Sequence, residues 1–138
     1  MRIVADTNVI VSAFLWGGVP RQLLDAAEER RVELFTSRAL VSELEDVLAR
    51  AKFAEQLRQT RFTAAYLLAR FTQLATLIVP AEISASELRD PDDQHVLACA
   101  LAAKTDLIVS GDDVLLNLKR YHGVDIVTPA VAIQRIGA

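Results

Sequence analysis

Cysteine occurs once in the 138 residues, at Cys99, which excludes an internal disulfide and any zinc centre built from several thiolates. The five glycines and four prolines are scattered, so no linker divides the chain. No apolar run approaches the roughly 20 residues that a membrane-spanning helix needs. No period of about 20–50 residues signals a repeat array. A Gly-rich dinucleotide loop and a phosphate-binding P-loop are both missing, which argues against a Rossmann oxidoreductase and an NTPase. An acid already stands at Asp6, so no apolar core of a secretory signal precedes it, and a reducing, cytoplasmic setting is expected. Positive charge is also short. Fifteen Lys and Arg face eighteen Asp and Glu, giving a net charge of −3 and a pI near 5.3. A protein that held nucleic acid by counterion release alone would be basic. A nucleic-acid partner would therefore have to meet a local basic patch, an acidic pocket whose sign is reversed by metal ions, or both.

What is present is a globular composition, with 52% hydrophobic and 24% charged residues. A chain of this length buries roughly 65–70% of its unfolded surface, enough for a core without covalent staples, and a single domain over residues 1–138 is expected. Short β-branched runs alternate with stretches of helical period. Ile3-Val4-Ala5, Val32-Glu33-Leu34-Phe35, Leu77-Ile78-Val79, Leu107-Ile108-Val109 and Asp125-Ile126-Val127 read as strands. Between them, Pro20 is placed to open a helix, Ser37 to cap one carrying Leu40, Leu44, Val47 and Leu48, Asp90-Pro91 to open another, and Thr128-Pro129 the last. A long helical stretch is predicted from about Gln59 to Ala75, and Trp16-Gly17-Gly18 ends a helix in a glycine turn. This alternation predicts a three-layer α/β/α sandwich around a parallel sheet of about five strands.

In such a sheet, ligands bind beyond the carboxyl ends of the strands. Two predicted strands run straight into acids there, Asp6 after the first and Asp112-Asp113 after the fourth. Asp90, Asp92 and Asp93 open the helix whose N-terminus faces the same edge. Carboxylates gathered in this way repel one another and raise each other's pKa unless a cation is shared. Mg²⁺ and Mn²⁺ take oxygen ligands, and metal-assisted phosphodiester hydrolysis is the matching chemistry. Each acid also has a plainer reading. Asp6 and Asp112 both stand where an N-cap is needed, and Asp90-Pro91-Asp92 reads as cap, first-turn proline and dipole-matched acid. Asp93 differs, because it precedes Val96 and Leu97 by three and four residues and so faces the buried stripe. On the Ser37-capped helix, Glu43 and Glu45 flank opposite edges of the apolar face, and periodicity leaves the choice open; Asp46 points further out.

Together, Asp6-Thr7-Asn8-Val9, Ser42 to Leu48, Asp90 to Ala100, Val109-Ser110-Gly111-Asp112 and Thr128-Pro129-Ala130 resemble the PIN domain, a family of metal-dependent ribonucleases that includes toxins of toxin–antitoxin pairs. The resemblance implies a catalytic set of Asp6, Glu43, Asp93 and Asp112. Asp6, Asp93 and Asp112 would hold Mg²⁺ or Mn²⁺ directly or through water, and Glu43 would orient water or support a second ion. It also implies that Asn8 and Ser110 orient the metal ligands and the substrate phosphate. RNA as substrate, an antitoxin chain as partner and a homodimer follow from the same resemblance. One departure stands out. Many relatives carry a further Asp two residues after the fourth acid, where this chain has Val114, with Asp113 between them.

Residues 50–70 hold Arg50, Lys52, Arg58, Arg61 and Arg70 against the single acid Glu55, with Phe53, Phe62 and Tyr66 interleaved. This pattern suits an RNA-tracking face. The weightier reading makes the aromatics core and the basic residues a solvated helix face. Cys99, among small residues in mid-helix, reads as a buried inert thiol, and neither His95 nor His122 is placed as a general base. Competing functions are a catalytically silent PIN-like module that binds RNA or protein, and other α/β phosphoryl-transfer enzymes. A haloacid-dehalogenase-like phosphatase would want an acid where Asn8 stands, and a phosphorylated receiver a different acid pattern.

Overall fold

The Ile/Val/Leu runs do pair into one sheet. The computed structural model describes residues 1–83, 88 and 90–137. Along the chain these form β1 (Arg2–Ala5), α1 (Thr7–Leu15), α2 (Gly18–Glu28), β2 (Glu33–Thr36), α3 (Arg38–Leu48), a 3₁₀ turn (Ala51–Phe53), α4 (Ala54–Thr60), α5 (Ala64–Leu74) and β3 (Ala75–Leu77). There follow α6 (Pro91–Ala103), β4 (Leu107–Val109), α7 (Asp113–Leu118), β5 (Arg120–Tyr121), β6 (Val124–Val127) and α8 (Pro129–Gly137). The strand order is β3-β2-β1-β4-β6-β5, parallel throughout except for the β5–β6 pair.

Alternation along each strand divides the core between the two faces of the sheet. Ile3, Ala5, Leu34, Leu107 and Val109 pack against α1, α2, the inner side of α3, α5 and α8. Val4, Phe35, Ile108 and Ile126 pack against α6, with Leu115 of α7 and Leu40 of α3. The result is the three-layer α/β/α sandwich that the sequence predicts.

Three elements differ from expectation. The third strand is Ala75–Leu77 rather than 77–79, because its register is set by β2: Leu34, Phe35 and Thr36 pair with Ala75, Thr76 and Leu77. Beyond that partner, Val79 is 87% exposed ahead of Pro80. The long helix expected from about Gln59 to Ala75 is two helices. Arg61 takes a left-handed conformation (φ 63°) and ends α4, while the Thr63 hydroxyl accepts the Tyr66 N–H at 3.0 Å and starts α5. A sixth strand, β5, joins the far edge, two residues long and too short to leave a periodic signature. It turns back through His122 and Gly123, and the Arg120 guanidinium donates to Asp125 across the hairpin at 2.8 Å.

Candidate active site

The sheet order brings β1 and β4 side by side at its centre, with Ala5 opposite Val109. The helices that follow β1 pack on one face of the sheet, and the helix that follows β4 packs on the other. That is the topological switch point at which open α/β sheets leave a crevice. The ladder continues one step past both strands. The Asp6 N–H donates to the Val109 carbonyl at 2.8 Å, and the Ser110 N–H to the Val127 carbonyl at 3.0 Å. Asp6 and Ser110 are thus fixed by backbone pairing before their side chains act.

Asp6 occupies the N-cap position of α1, yet its carboxylate makes no capping bond to the helix. It is buried and turned inward, where the fully buried Ser110 hydroxyl donates to Oδ2 at 2.8 Å. The same Ser110 oxygen accepts the Asp112 N–H at 2.9 Å. Asp112 does cap its helix, accepting the Val114 N–H at 2.8 Å. Asp90 behaves as its plainer reading expects, exposed and accepting the Asp92 N–H at 2.9 Å, with Pro91 at the first helical position. Asp93, the third residue of α6, is buried at 5% exposure. Glu43 is half-buried while Glu45 and Asp46 are exposed, so tertiary packing makes the choice that helical periodicity leaves open. Asn8 is exposed and lines a cleft of about 270 Å³ with Ser12, Pro20, Gly111, Asp112 and Pro129. Asp113 is exposed on the outer side of α7.

Electrostatics ties these acids together. Burial raises the Asp6 carboxyl above its ordinary value, the Ser110 hydrogen bond opposes that rise, and the negative charges of Asp112 and Asp90 add to it. Burial, then the fields of Asp92 and Asp6, push Glu43 up to about 7. Asp93 is also pushed up to about 7, by burial first and then by the negative charge of Asp112. Glu43 Oε2 is buried with no hydrogen-bond partner, alone in this among the described side chains. Desolvated, mutually repelling carboxylates with an orphaned oxygen form a site of unmet negative charge.

The donor set is all carboxylate oxygen, the chemistry of a hard divalent cation. As the side chains stand, no group of three His, Cys, Asp or Glu among the described residues is gathered closely enough to hold a metal ion. An all-carboxylate donor set suits a hard divalent ion such as Mg²⁺, which needs only one or two protein carboxylates and otherwise keeps its water.

Elsewhere the plainer readings hold. Cys99 is fully buried and its thiol is pushed up to about 12, which leaves it inert. His95 is half-buried at the fifth position of α6, and His122 is exposed in the β5–β6 turn. The residues that sequence reasoning underrated are Phe62 and Tyr66. They are not core; they are 49% and 43% exposed and stacked on each other. The break at Arg61, which turns them outward, has no signature in the apolar period.

The family profile described as PIN domain matches residues 2–113. This span takes in β1 to the start of α7 and all four candidate acids. No curated protein and no solved structure matches the chain.

Proposed function

Because this chain belongs to the PIN-domain family, whose members are in general nucleases, we propose that it is a metal-dependent endoribonuclease whose acidic rim hydrolyses RNA phosphodiester bonds. The observation that carries the reading is the convergence of Asp6, Glu43 and Asp93, each with its pKa raised by burial and by neighbouring acids, at the crevice between β1 and β4. No single fold requirement explains three desolvated carboxylates within one another's field, none of them paired with a cation among the described residues.

In this reading Asp6, Asp93 and Asp112 hold Mg²⁺ or Mn²⁺, some of them through water. When bound, such an ion polarises a phosphoryl oxygen and lowers the pKa of a coordinated water. Ser110, fully buried, orients Asp6 and the backbone of Asp112 instead of touching substrate. Glu43 presents its unpartnered oxygen to a water in the crevice and orients it for attack. Asn8, at the cleft mouth, offers an amide donor to a substrate phosphate. Asp90 and Asp92 set the α6 terminus and add negative field.

The resemblance extends the proposal to the toxin component of a toxin–antitoxin pair, restrained by a separate antitoxin chain and working as a homodimer in the cytoplasm. No described helix is long and apolar enough to cross a membrane. One observation favours a second reading, a catalytically silent module that binds RNA or protein: the acids are not gathered in threes as they stand.

Cleavage of a mixed single-stranded RNA with Mg²⁺ or Mn²⁺, comparing the wild type with Asp93→Asn purified identically, separates the two. Metal-dependent cleavage that disappears in the variant supports the nuclease. Equal background cleavage in both would overturn it in favour of the silent module.

A further inference from the structure

The aromatic face formed by α2, α4 and α5 takes no part in the chemistry above. Phe62 and Tyr66 stack with ring centroids 4.6 Å apart and planes inclined by 20°, and each leaves nearly half of its surface to solvent. They border a groove of about 320 Å³ floored by Leu24 and Leu67, with Arg21, Arg70 and the acid Glu28 among its lining residues. Two half-exposed rings stacked on each other present a flat π surface that a planar ligand can extend.

Charge decides what kind of ligand. Residues 50–70 carry five cations against one acid, within a chain of net charge −3. Arg58 is paired with Glu55 and Arg70 with Glu28, and Arg21 makes an exposed pair with Asp25 one turn along α2, of the kind that holds a side chain only weakly. Arg50, Lys52 and Arg61 form no ion pair among the described residues. Arg61, unpaired among the described residues and next to Phe62, together with the exposed Arg21 on the groove wall, gives the aromatic stack a cationic border that matches a single-stranded polyanion with planar bases better than an apolar helix. Position agrees. Pro20 lines the cleft that holds Asn8 and Asp112, and Arg21, the next residue, lines the aromatic groove. The first turn of α2 is therefore a shared wall between the two.

We propose that this face is a single-stranded RNA subsite outside the acidic cleft: a base stacks on the Phe62–Tyr66 pair, and phosphates of the strand leaving the cleft lie against Arg21 and Arg61. The proposal rests on the RNA reading given above. It makes the protein favour substrates long enough to span both places, and it puts the strongest non-catalytic contact at the turn from α4 into α5.

The test measures fluorescence anisotropy of a labelled single-stranded RNA of about 12 nucleotides, within the range one single-strand module covers, with Mg²⁺ and in an Asp93→Asn background that cannot cut it. Adding Phe62→Ala and Tyr66→Ala should lower affinity by about 5–150-fold, the span for loss of one stacked base. The conservative pair Phe62→Tyr and Tyr66→Phe should restore it. Arg61→Gly removes a cation at a left-handed position that glycine prefers, so the fold is not strained, and should reduce the slope of log affinity against log salt by about 0.7. Unchanged affinity and slope would overturn the subsite even if metal-dependent cleavage is intact, leaving the nuclease reading standing. Unchanged affinity with a shift from dimer to monomer on gel filtration would likewise overturn it and assign the face to a second copy of the chain. A wild type that neither binds nor cuts RNA would remove the nuclease reading and this subsite together.

Discussion

The Ser110 hydroxyl donates to Asp6 Oδ2 at 2.8 Å, across a sequence separation of 104 residues, inside a site that no water reaches from the Ser110 side. One oxygen thereby sets the rotamer of the central carboxylate and, by accepting the Asp112 N–H, the entry into α7. Ser110→Ala leaves a buried carboxylate oxygen and a backbone N–H without this partner. The expected cost is about 1.5–3 kcal/mol of stability, with metal affinity reduced by about 10–100-fold. Thermal melting and calorimetric Mn²⁺ titration measure the two. A variant as stable as the wild type with full metal affinity would mean that Asp6 needs no support from this hydroxyl.

Asp6 and Asp90 both stand at helix N-caps, but only Asp90 caps. Asp6→Asn should abolish cleavage while holding or raising the melting temperature, since a desolvated, repelled charge is removed and the amide oxygen still accepts from Ser110. Asp90→Ala should do the opposite, costing about 0.5–2 kcal/mol of stability through the lost cap with metal affinity little changed. If Asp90→Ala melts like the wild type but no longer takes up Mn²⁺, Asp90 belongs among the ligands.

Glu43 and Glu45 lie two residues apart on α3 and separate cleanly in the tertiary structure. Glu43→Gln is expected to lose cleavage and gain stability, because a neutral amide replaces a carboxylate that burial and Asp92 already hold up to about 7. Glu45→Gln, on the exposed side, should change melting by less than about 0.5 kcal/mol and leave cleavage alone. Matched kinetics of the two proteins check this, and equal losses would show that packing has not made the choice described above.

The raised pKa values also fix a pH dependence. Glu43 and Asp93 titrate near 7 when folded, above their ordinary values of 4.5 and 3.8. Between those limits the folded chain binds more protons than the unfolded one, so their contribution to stability is fully present below the unfolded values and is lost as pH rises through about 7. Asp125, clamped by Arg135 and Arg120, has a lowered pKa and acts only at more acid pH. Metal-free protein in chelator should therefore melt at a higher temperature at pH 6 than at pH 8. Saturating Mn²⁺, which favours the ionised carboxylates, should flatten or reverse the difference. A chelated sample that melts higher at pH 8 would contradict the burial of these acids.

Much of this was legible in one dimension. β-branched runs mark the parallel strands because both faces of those strands are covered, and the acids after β1 and β4 follow from a topology that puts strand ends on one edge. Asp93 was legible because helix geometry ties it to Val96 and Leu97. Asp90-Pro91 announced its cap. The boundary of β3 was not, since an edge strand takes its length from its partner. Nor was the break at Arg61, because one left-handed residue reverses a chain without altering its apolar period.

The sequence by itself determined the layers and which acids follow the strand ends, properties that nearest-neighbour periodicity and composition encode. Only the tertiary structure decided that Glu43 is half-buried in the field of Asp92 and Asp6 while Glu45 is exposed, that Ser110 is sealed beneath Asp6, and that Phe62 and Tyr66 lie on the surface. Each of those depends on which side chain from a distant segment arrives to exclude water, and burial of that kind is a property of the assembled fold.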